Sequence, residues 1–280
     1  MKVRPRTKLR WIAPLVLGLV LFAAVWAAWI EPNWVQVTRH TVPLALERPI
    51  EVLHLTDLHT RAIGRRERRL LALIESERPD VIVITGDCPA ADGDYDAVRD
   101  LVARLHAPLG VFVVRGNWEH WRPLAQAGLD EAAFWRTTGA RLLVNEAAEV
   151  GAGLWVVGFD DWLAGRPDVQ AGLAGVPPDA KALALFHSPV FFEDLVNAAP
   201  GRVDVALAGH SHGGQVRVPF VGPLWLPAGC GSYSAGWYES GGARLYVGRG
   251  LGTSILPVRF LCRPEIALVT LGSAGPPAGR

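Results

Sequence analysis

The sequence predicts an α/β domain built on buried, largely parallel strands, preceded by one N-terminal transmembrane helix. Three observations carry this. Short apolar runs alternate with helix-length amphipathic stretches, the pattern of strands covered on both faces by crossover connections. The chain has 280 residues, 50% hydrophobic and 20% charged, which suits one sizeable core and does not suit a disordered chain. No charged residue occurs from Trp11 to Ile30, a run that matches the hydrocarbon thickness of a bilayer.

The elements follow in order. Lys2, Arg4, Arg6, Lys8 and Arg10 precede the apolar run, and no acid appears before Glu31. The positive-inside rule then keeps the N-terminus cytoplasmic and exports the rest. Trp26, Trp29 and Trp34 gather at the far end, where indoles favour the interface. A cleaved signal peptide is the competing reading, but residues 24–28 offer only a poor small-x-small site, broken by Trp26. The expectation is a retained anchor over 1–34, a catalytic domain over 35–272 and a Gly/Pro-rich tail over 273–280. Within the domain, strands are expected at 50–56, 81–85, 110–114, 141–144, 154–157, 181–186 and 203–208. Helices are expected at 65–77 and 94–106. Segment 222–249 is rich in Gly, Pro and aromatics, and 258–261 and 265–271 read as closing antiparallel strands.

Composition excludes several classes. A formal net charge of +1 gives no reason to expect nucleic acid as a partner. Cys88, Cys230 and Cys262 form neither a CxxC pair nor a disulfide framework.

The chemistry sits where apolar strands run out. The first ends in Thr56-Asp57-Leu58-His59, the second in Gly86-Asp87, and the third in Gly116-Asn117-Trp118-Glu119-His120. Later strands end in His187 and in Gly209-His210-Ser211-His212-Gly213-Gly214. Ligands bind outside the carboxyl ends of strands in open α/β sheets. If Asp57-x-His59 and His210-x-His212 are extended, each pair projects to one side and can converge on one site. Mixed imidazole and carboxylate donors suit Mn, Fe or Zn, and the absence of thiolate argues against structural zinc. Gly86, Gly116 and Gly209 each precede a candidate ligand, where the backbone must turn or approach closely. His40, His54 and His106 have no such partners and read as structural or solvated. Cys88 reads as a small buried thiol, and Arg65, Arg66, Arg68 and Arg69 as a solvated helix face. Trp118, Trp121, Trp225 and Trp237 suit a substrate groove or ordinary packing equally well.

D-x-H, G-D, G-N, a lone His and G-H-x-H, in that order over roughly residues 50–271, resemble the calcineurin-like metallophosphoesterase family. The form G-H-S-H-G-G-Q and the anchor resemble its bacterial membrane-associated branch. The resemblance implies a four-layer α/β/β/α sandwich and a hydrolase of phosphate esters with two divalent metal ions, Mn favoured. Asp57, His59 and His212 would hold one metal, Asn117, His187 and His210 the other, and Asp87 would bridge them. The expected partners are a phosphate-ester substrate, for which the anchor makes a lipid- or envelope-linked compound a candidate, and the membrane. The chain departs from the family where G-N-H-[DE] has become Gly116-Asn117-Trp118-Glu119. An indole N–H carries no titratable proton, so either the leaving group needs no acid, His120 replaces it, or the protein binds metal without turnover. The first two explanations together are favoured, which makes Asn117 and His120 the catalytic candidates and a phosphodiester or pyrophosphate the expected substrate bond, with a phosphomonoester as the alternative.

Overall fold

The computed structural model describes residues 9–90 and 95–272. The basic residues at positions 2–8, Asp94 and the tail over 273–280 lie outside the described residues. Helix α1 (Leu9–Val25) continues through a π-turn (Trp26–Ile30) and a 3-10 turn (Glu31–Asn33). Ile12–Asn33 is long and apolar enough to cross a membrane, and its apolar stretch is not covered by the rest of the chain.

The first half of the body runs β1 (Gln36–Val42), β2 (Ile50–Leu55), α2 (Arg65–Glu77), β3 (Val81–Thr85), α3 (Tyr95–Val102), β4 (Val111–Val114), α4 (Asn117–Trp121), α5 (Glu131–Thr138) and β5 (Arg141–Leu142). The second half runs β6 (Glu146–Gly151), β7 (Leu154–Gly158), α6 (Val169–Leu173), β8 (Lys181–Leu185), α7 (Phe191–Ala198) and β9 (Val205–Ala208). It closes with β10 (Arg217–Val218), β11 (Gly222–Pro223), β12 (Gly236–Ser240), β13 (Ala243–Val247) and β14 (Glu265–Leu271).

Two six-stranded sheets result, ordered β1-β14-β2-β3-β4-β5 and β12-β13-β9-β8-β7-β6, with β10 and β11 as a separate ribbon. The strands β2 to β5, and β7, β8, β9 and β13, pair in parallel. Side chains alternate across each strand. Ile50, Val52, Val81 and Val83 meet Leu183, Leu185, Val205 and Leu207 in a core between the sheets. Leu53, Leu55, Ile82 and Ile84 turn the other way, onto α2, α3 and α5. Ala182, Ala184, Ala206 and Ala208 likewise face α7. Burial on both faces explains why these strands are continuously apolar, and it yields the four layers, helix, sheet, sheet, helix.

Three sequence readings are corrected. Residues 258–261 form no strand: Phe260 makes only an isolated bridge to Val216. The cause is the neighbouring guanidinium of Arg259, fully buried and donating to the carbonyls of Gly252, Cys262, Arg249 and Gly250, which coils the segment. β1 escaped prediction because Gln36, Thr38, Arg39, His40 and Thr41 break its apolar pattern; it is held as a parallel neighbour of β14. Within 222–249 lies a hairpin, with Gly241 and Gly242 at φ 56° and 81° between Ser240 and Ala243, the positive φ pair that a two-residue hairpin turn demands. The helix expected at 65–77 forms over those residues, and the one expected at 94–106 ends at Val102.

Candidate metal centre

The carboxyl ends of β2, β3, β8 and β9 point to one place, and the loops after them carry the candidate ligands. Their backbone is not extended: Asp57, His59, Asp87, His210 and His212 have φ of 52°, 41°, 55°, 68° and 50°. The strand-alternation argument for the two D-x-H and H-x-H pairs therefore fails. Left-handed residues curl each loop back instead, at a cost that a functional site sustains. The glycines permit the crowding. A Cβ at Gly86, itself at φ 84°, would meet Gly116 N at 2.5 Å, and one at Gly209 would collide with the Thr56 side chain.

Asp57, His59 and His212 form one group, and Asp87, His187 and His210 another, each with its ligand atoms within 4.8 Å of one another. His210-x-His212 thus divides between the two groups, the division that the family resemblance implied. All six residues and Asn117 are buried. In the first group, His212 Nε2 lies 3.2 Å from His59 Nε2 and 3.3 Å from Asp57 Oδ1. In the second, His187 Nε2 lies 3.1 Å from His210 Nδ1 and 3.2 Å from Asp87 Oδ2. Asp87 Oδ2 is also 3.7 Å from His59 Nε2, so one oxygen faces both groups. Its other oxygen, Oδ1, accepts the Trp118 backbone N–H at 2.9 Å and fixes that orientation.

The donor set fits divalent cations. His59 Nδ1 lies 3.1 Å from Pro89 O, His187 Nδ1 2.7 Å from Thr85 O, and His210 Nε2 2.6 Å from Ala228 O. Each carbonyl takes one ring N–H and leaves the other nitrogen's lone pair aimed inward, the arrangement by which a second layer orients metal-binding imidazoles. Asn117 Oδ1 is buried without a hydrogen-bond partner, as an oxygen awaiting a cation would be. Burial lowers the pKa of His59 to about 4 and pushes His212 well below the usual range, His59 adding to the effect. Burial raises Asp57 to about 7, against the pull of His187. At His187 burial is outweighed by Asp87 and Asp57, which hold its pKa well above normal. Buried carboxylates beside three imidazoles whose pKa is lowered, His59, His210 and His212, are what positive charge at the centre would complete.

Glu119 is a functional residue that the sequence reading passed over. Buried on α4, its carboxylate accepts Gly116 N at 2.8 Å, Asp87 N at 3.0 Å and Cys88 N at 2.7 Å. It ties the second and third loops together and sets Asp87 and Asn117. Glu three residues after Gly116 is the reach-back spacing of a helix N-terminus, a signal that was present in the sequence. Asp161 was also missed; it accepts Ser188 Oγ at 2.6 Å and steadies the turn after His187.

His120 does not join the cluster. Its Nε2 lies 2.7 Å from Asp160 Oδ1, and its ring lines a different cavity with Arg115 and Pro123. Trp118 does border the site, edge-on to His59 and to Trp121, each with ring centroids at 5.7 Å. A cavity of about 460 Å³ opens beside the ligands, lined by Asp87, Asn117, Trp118, His210 and His212 together with Trp121, Trp225, Pro227 and Ile255. Of the remaining candidates, Trp237 packs on His40 and Tyr246 instead. His54, buried, bonds Thr85 Oγ1 at 2.7 Å, and His40 meets Tyr246 Oη at 3.1 Å; both are structural, though neither lacks a partner. Cys88 is fully buried. Arg66 leaves the solvated face to bond the carbonyls of Leu58 and Leu251.

Two facing mixed sheets with paired His/Asp groups at their strand ends define a dimetal phosphoesterase, and the implied ions are divalent metals. The profile of the calcineurin-like phosphoesterase family matches residues 50–214, and the chain belongs to that family, as a hydrolase of phosphate esters. It is 30% identical over 254 residues to the phosphodiesterase YaeI of Escherichia coli, covering 86% of this chain and 90% of that one. It is 26% identical to the UDP-2,3-diacylglucosamine pyrophosphatase LpxG of Chlamydia trachomatis, covering 91% and 94%. Among solved structures, a putative 5'-nucleotidase from Staphylococcus aureus superposes with a TM-score of 0.50 at 12% identity, over 81% of this chain and 55% of that one. At that identity the likeness is one of fold.

Proposed function

We propose that the chain is a membrane-anchored phosphodiesterase or pyrophosphatase. Asp57, His59 and His212 would hold one divalent metal, Asn117, His187 and His210 the other, and Asp87 would face both through Oδ2. Bound there, two such ions supply an activated water at neutral pH and the charge that stabilises the phosphoryl oxygens. The protein's own part is positional. Glu119 fixes Asp87 and Asn117, carbonyls fix three imidazoles, and the indoles of Trp118, Trp121 and Trp225 shape a largely apolar wall against bulk water.

The observation that carries the choice of bond is Trp118. The position after Asn117 presents an indole to the cavity, and His120 is engaged with Asp160. Neither Trp118 nor His120 is then placed to give a proton to a departing alkoxide, a service worth about 10²–10⁴-fold. A pyrophosphate or an acidic diester leaves without it. The two relatives, a phosphodiesterase and a pyrophosphatase, support the same reading. Helix α1 would anchor residues 35–272 to the membrane, with the domain on the extracytoplasmic side by the charge of residues 2–10.

The test uses the full chain in detergent, loaded with Mn²⁺ and checked for metal content. A nucleoside-diphosphate ester and a bis-aryl diester should turn over faster than an aryl monoester. Faster monoester cleavage would overturn the bond assignment. Two metals bound per chain with no turnover on any of the three would make it a binding protein.

A further inference from the structure

The mouth of the site is rimmed by apolar side chains that the body leaves uncovered. Phe220 and Val221 stand exposed in the turn between β10 and β11, Leu224 and Trp225 directly after β11, and Ile255 and Leu256 on the loop before Arg259. Phe220 and Ile255 reach this state from φ of 66° and 62°, a conformation that bulky and β-branched residues adopt only under constraint. A water-facing rim would not repay such strain.

The two loops form one unit. The Gln215 side chain accepts Ser254 N at 2.6 Å and donates to Ser254 O at 3.0 Å. Phe260 N bonds Gln215 O at 2.8 Å, and Arg217 N bonds Phe260 O at 2.9 Å. That unit is in turn fixed to the last turns of the apolar helix. Arg259 N donates to Ala27 O at 2.8 Å, and Glu31 accepts Leu261 N at 3.0 Å and Cys262 N at 2.5 Å. Exposed Trp29 and Trp34 mark the same level of the helix. A second cavity, of about 540 Å³, lies between Ala28 and Pro32 of the helix and Arg61 and Arg65 of the body; it shares Trp118, Ser254 and Ile255 with the site cavity. Apolar rim, indoles and arginines thus continue one interface, that of the helix with its bilayer.

We propose that the 219–225 and 254–256 loops are a second membrane contact, inserted into the outer acyl region of the bilayer that the helix crosses. The contact seats the mouth of the metal site on the lipid surface. The substrate is then a phosphate ester whose apolar part stays in the bilayer while its phosphate reaches the ligands past the arginines. This rests on the anchored-hydrolase reading above.

Cys88, Cys230 and Cys262 are free and buried, so a nitroxide placed on Phe220→Cys or Leu224→Cys labels that position selectively. The full chain is reconstituted in phosphatidylcholine/phosphatidylglycerol vesicles, with Asp179→Cys, exposed just before β8 at the opposite end of the sheet, as the reference. Labels at 220 and 224 should collide with oxygen more than with a water-soluble nickel chelate, and the label at 179 should do the reverse. Chelate access at 220 and 224 equal to that at 179 would overturn the proposal. Low access to both probes would also overturn it, in favour of a protein covering the loops. Neither outcome depends on turnover, so failure here is separable from failure of the proposed chemistry. As a second reading, Phe220→Asp should lower cleavage of a vesicle-embedded hexadecyl p-nitrophenyl phosphodiester about tenfold, the effect of one lost aromatic insertion. Cleavage of soluble bis-p-nitrophenyl phosphate should be unchanged. Equal loss on both esters would sink the membrane role.

Discussion

Glu119 shows how a single carboxylate organises the centre without facing the cavity. It receives three backbone N–H groups from two loops. Glu119→Ala would leave them buried and unpaired, at about 1–3 kcal/mol for each. The expected outcome is a lower unfolding midpoint together with weaker metal retention, read by calorimetry and metal analysis; retention equal to that of the parent would deny Glu119 its positioning role. His120 makes a separate, testable pair. Its hydrogen bond to Asp160 outweighs burial and raises its pKa, while His120, against the cost of burial, helps lower that of Asp160. A raised histidine contributes stability fully below its unfolded value of 6.5 and loses it as pH climbs through the folded value. A lowered aspartate contributes above its unfolded value of 3.8 and loses it as pH falls through the folded one. The difference in melting temperature between the parent and His120→Asn should therefore be greatest between these limits and shrink on the alkaline side. A difference constant from pH 6 to pH 9 would remove the charge pair from the account.

At the scale of elements, the joint between helix and body rests on Glu31. Its carboxylate takes Leu261 N, Cys262 N and Trp26 Nε1, the last at 2.6 Å. Glu31→Ala should destabilise the protein by about 2–4 kcal/mol, from donors left without acceptors, while metal content stays equal to that of the parent. Differential scanning calorimetry of the reconstituted protein reads the first effect. An unchanged midpoint would mean that the joint is held elsewhere. The same region shows what element-level sequence reading misses. Residues 258–261 look like a strand by composition, yet Arg259 is drawn inward by four carbonyl-bearing residues, and no local pattern announces a buried arginine without a carboxylate. β1 looks polar and is a strand, because β14 supplies the ladder that its own residues do not advertise.

For the whole molecule, the metal centre is also a stability device. Two buried carboxylates and four buried imidazoles lie within a few ångströms, and cations are what relieve them. Removing metal with a chelator should lower the melting temperature, and Mn²⁺ should restore it in a concentration-dependent way, as for any ligand that binds the folded state alone. A midpoint indifferent to chelation would show that the cluster needs no ion to fold.

The fold class was legible in the sequence because strands buried on both faces must be continuously apolar, and because their periodicity needs no distant partner. The order of the motifs was legible too, since each ligand follows a strand end and each crowded turn needs a glycine. What the sequence left open was decided in three dimensions. The split of His210 and His212 between two groups follows the motif resemblance, but how they are aimed does not: left-handed backbone and not strand alternation places them. His120 is three residues from Asn117, yet the course of α4 carries its ring to Asp160. The carbonyls that orient three histidines, the carboxylate of Glu119 and the apolar rim tied to the helix all join residues far apart in the chain. Local pattern fixes which residues a strand buries; which distant groups meet at its end depends on how the two sheets pack and where their loops return.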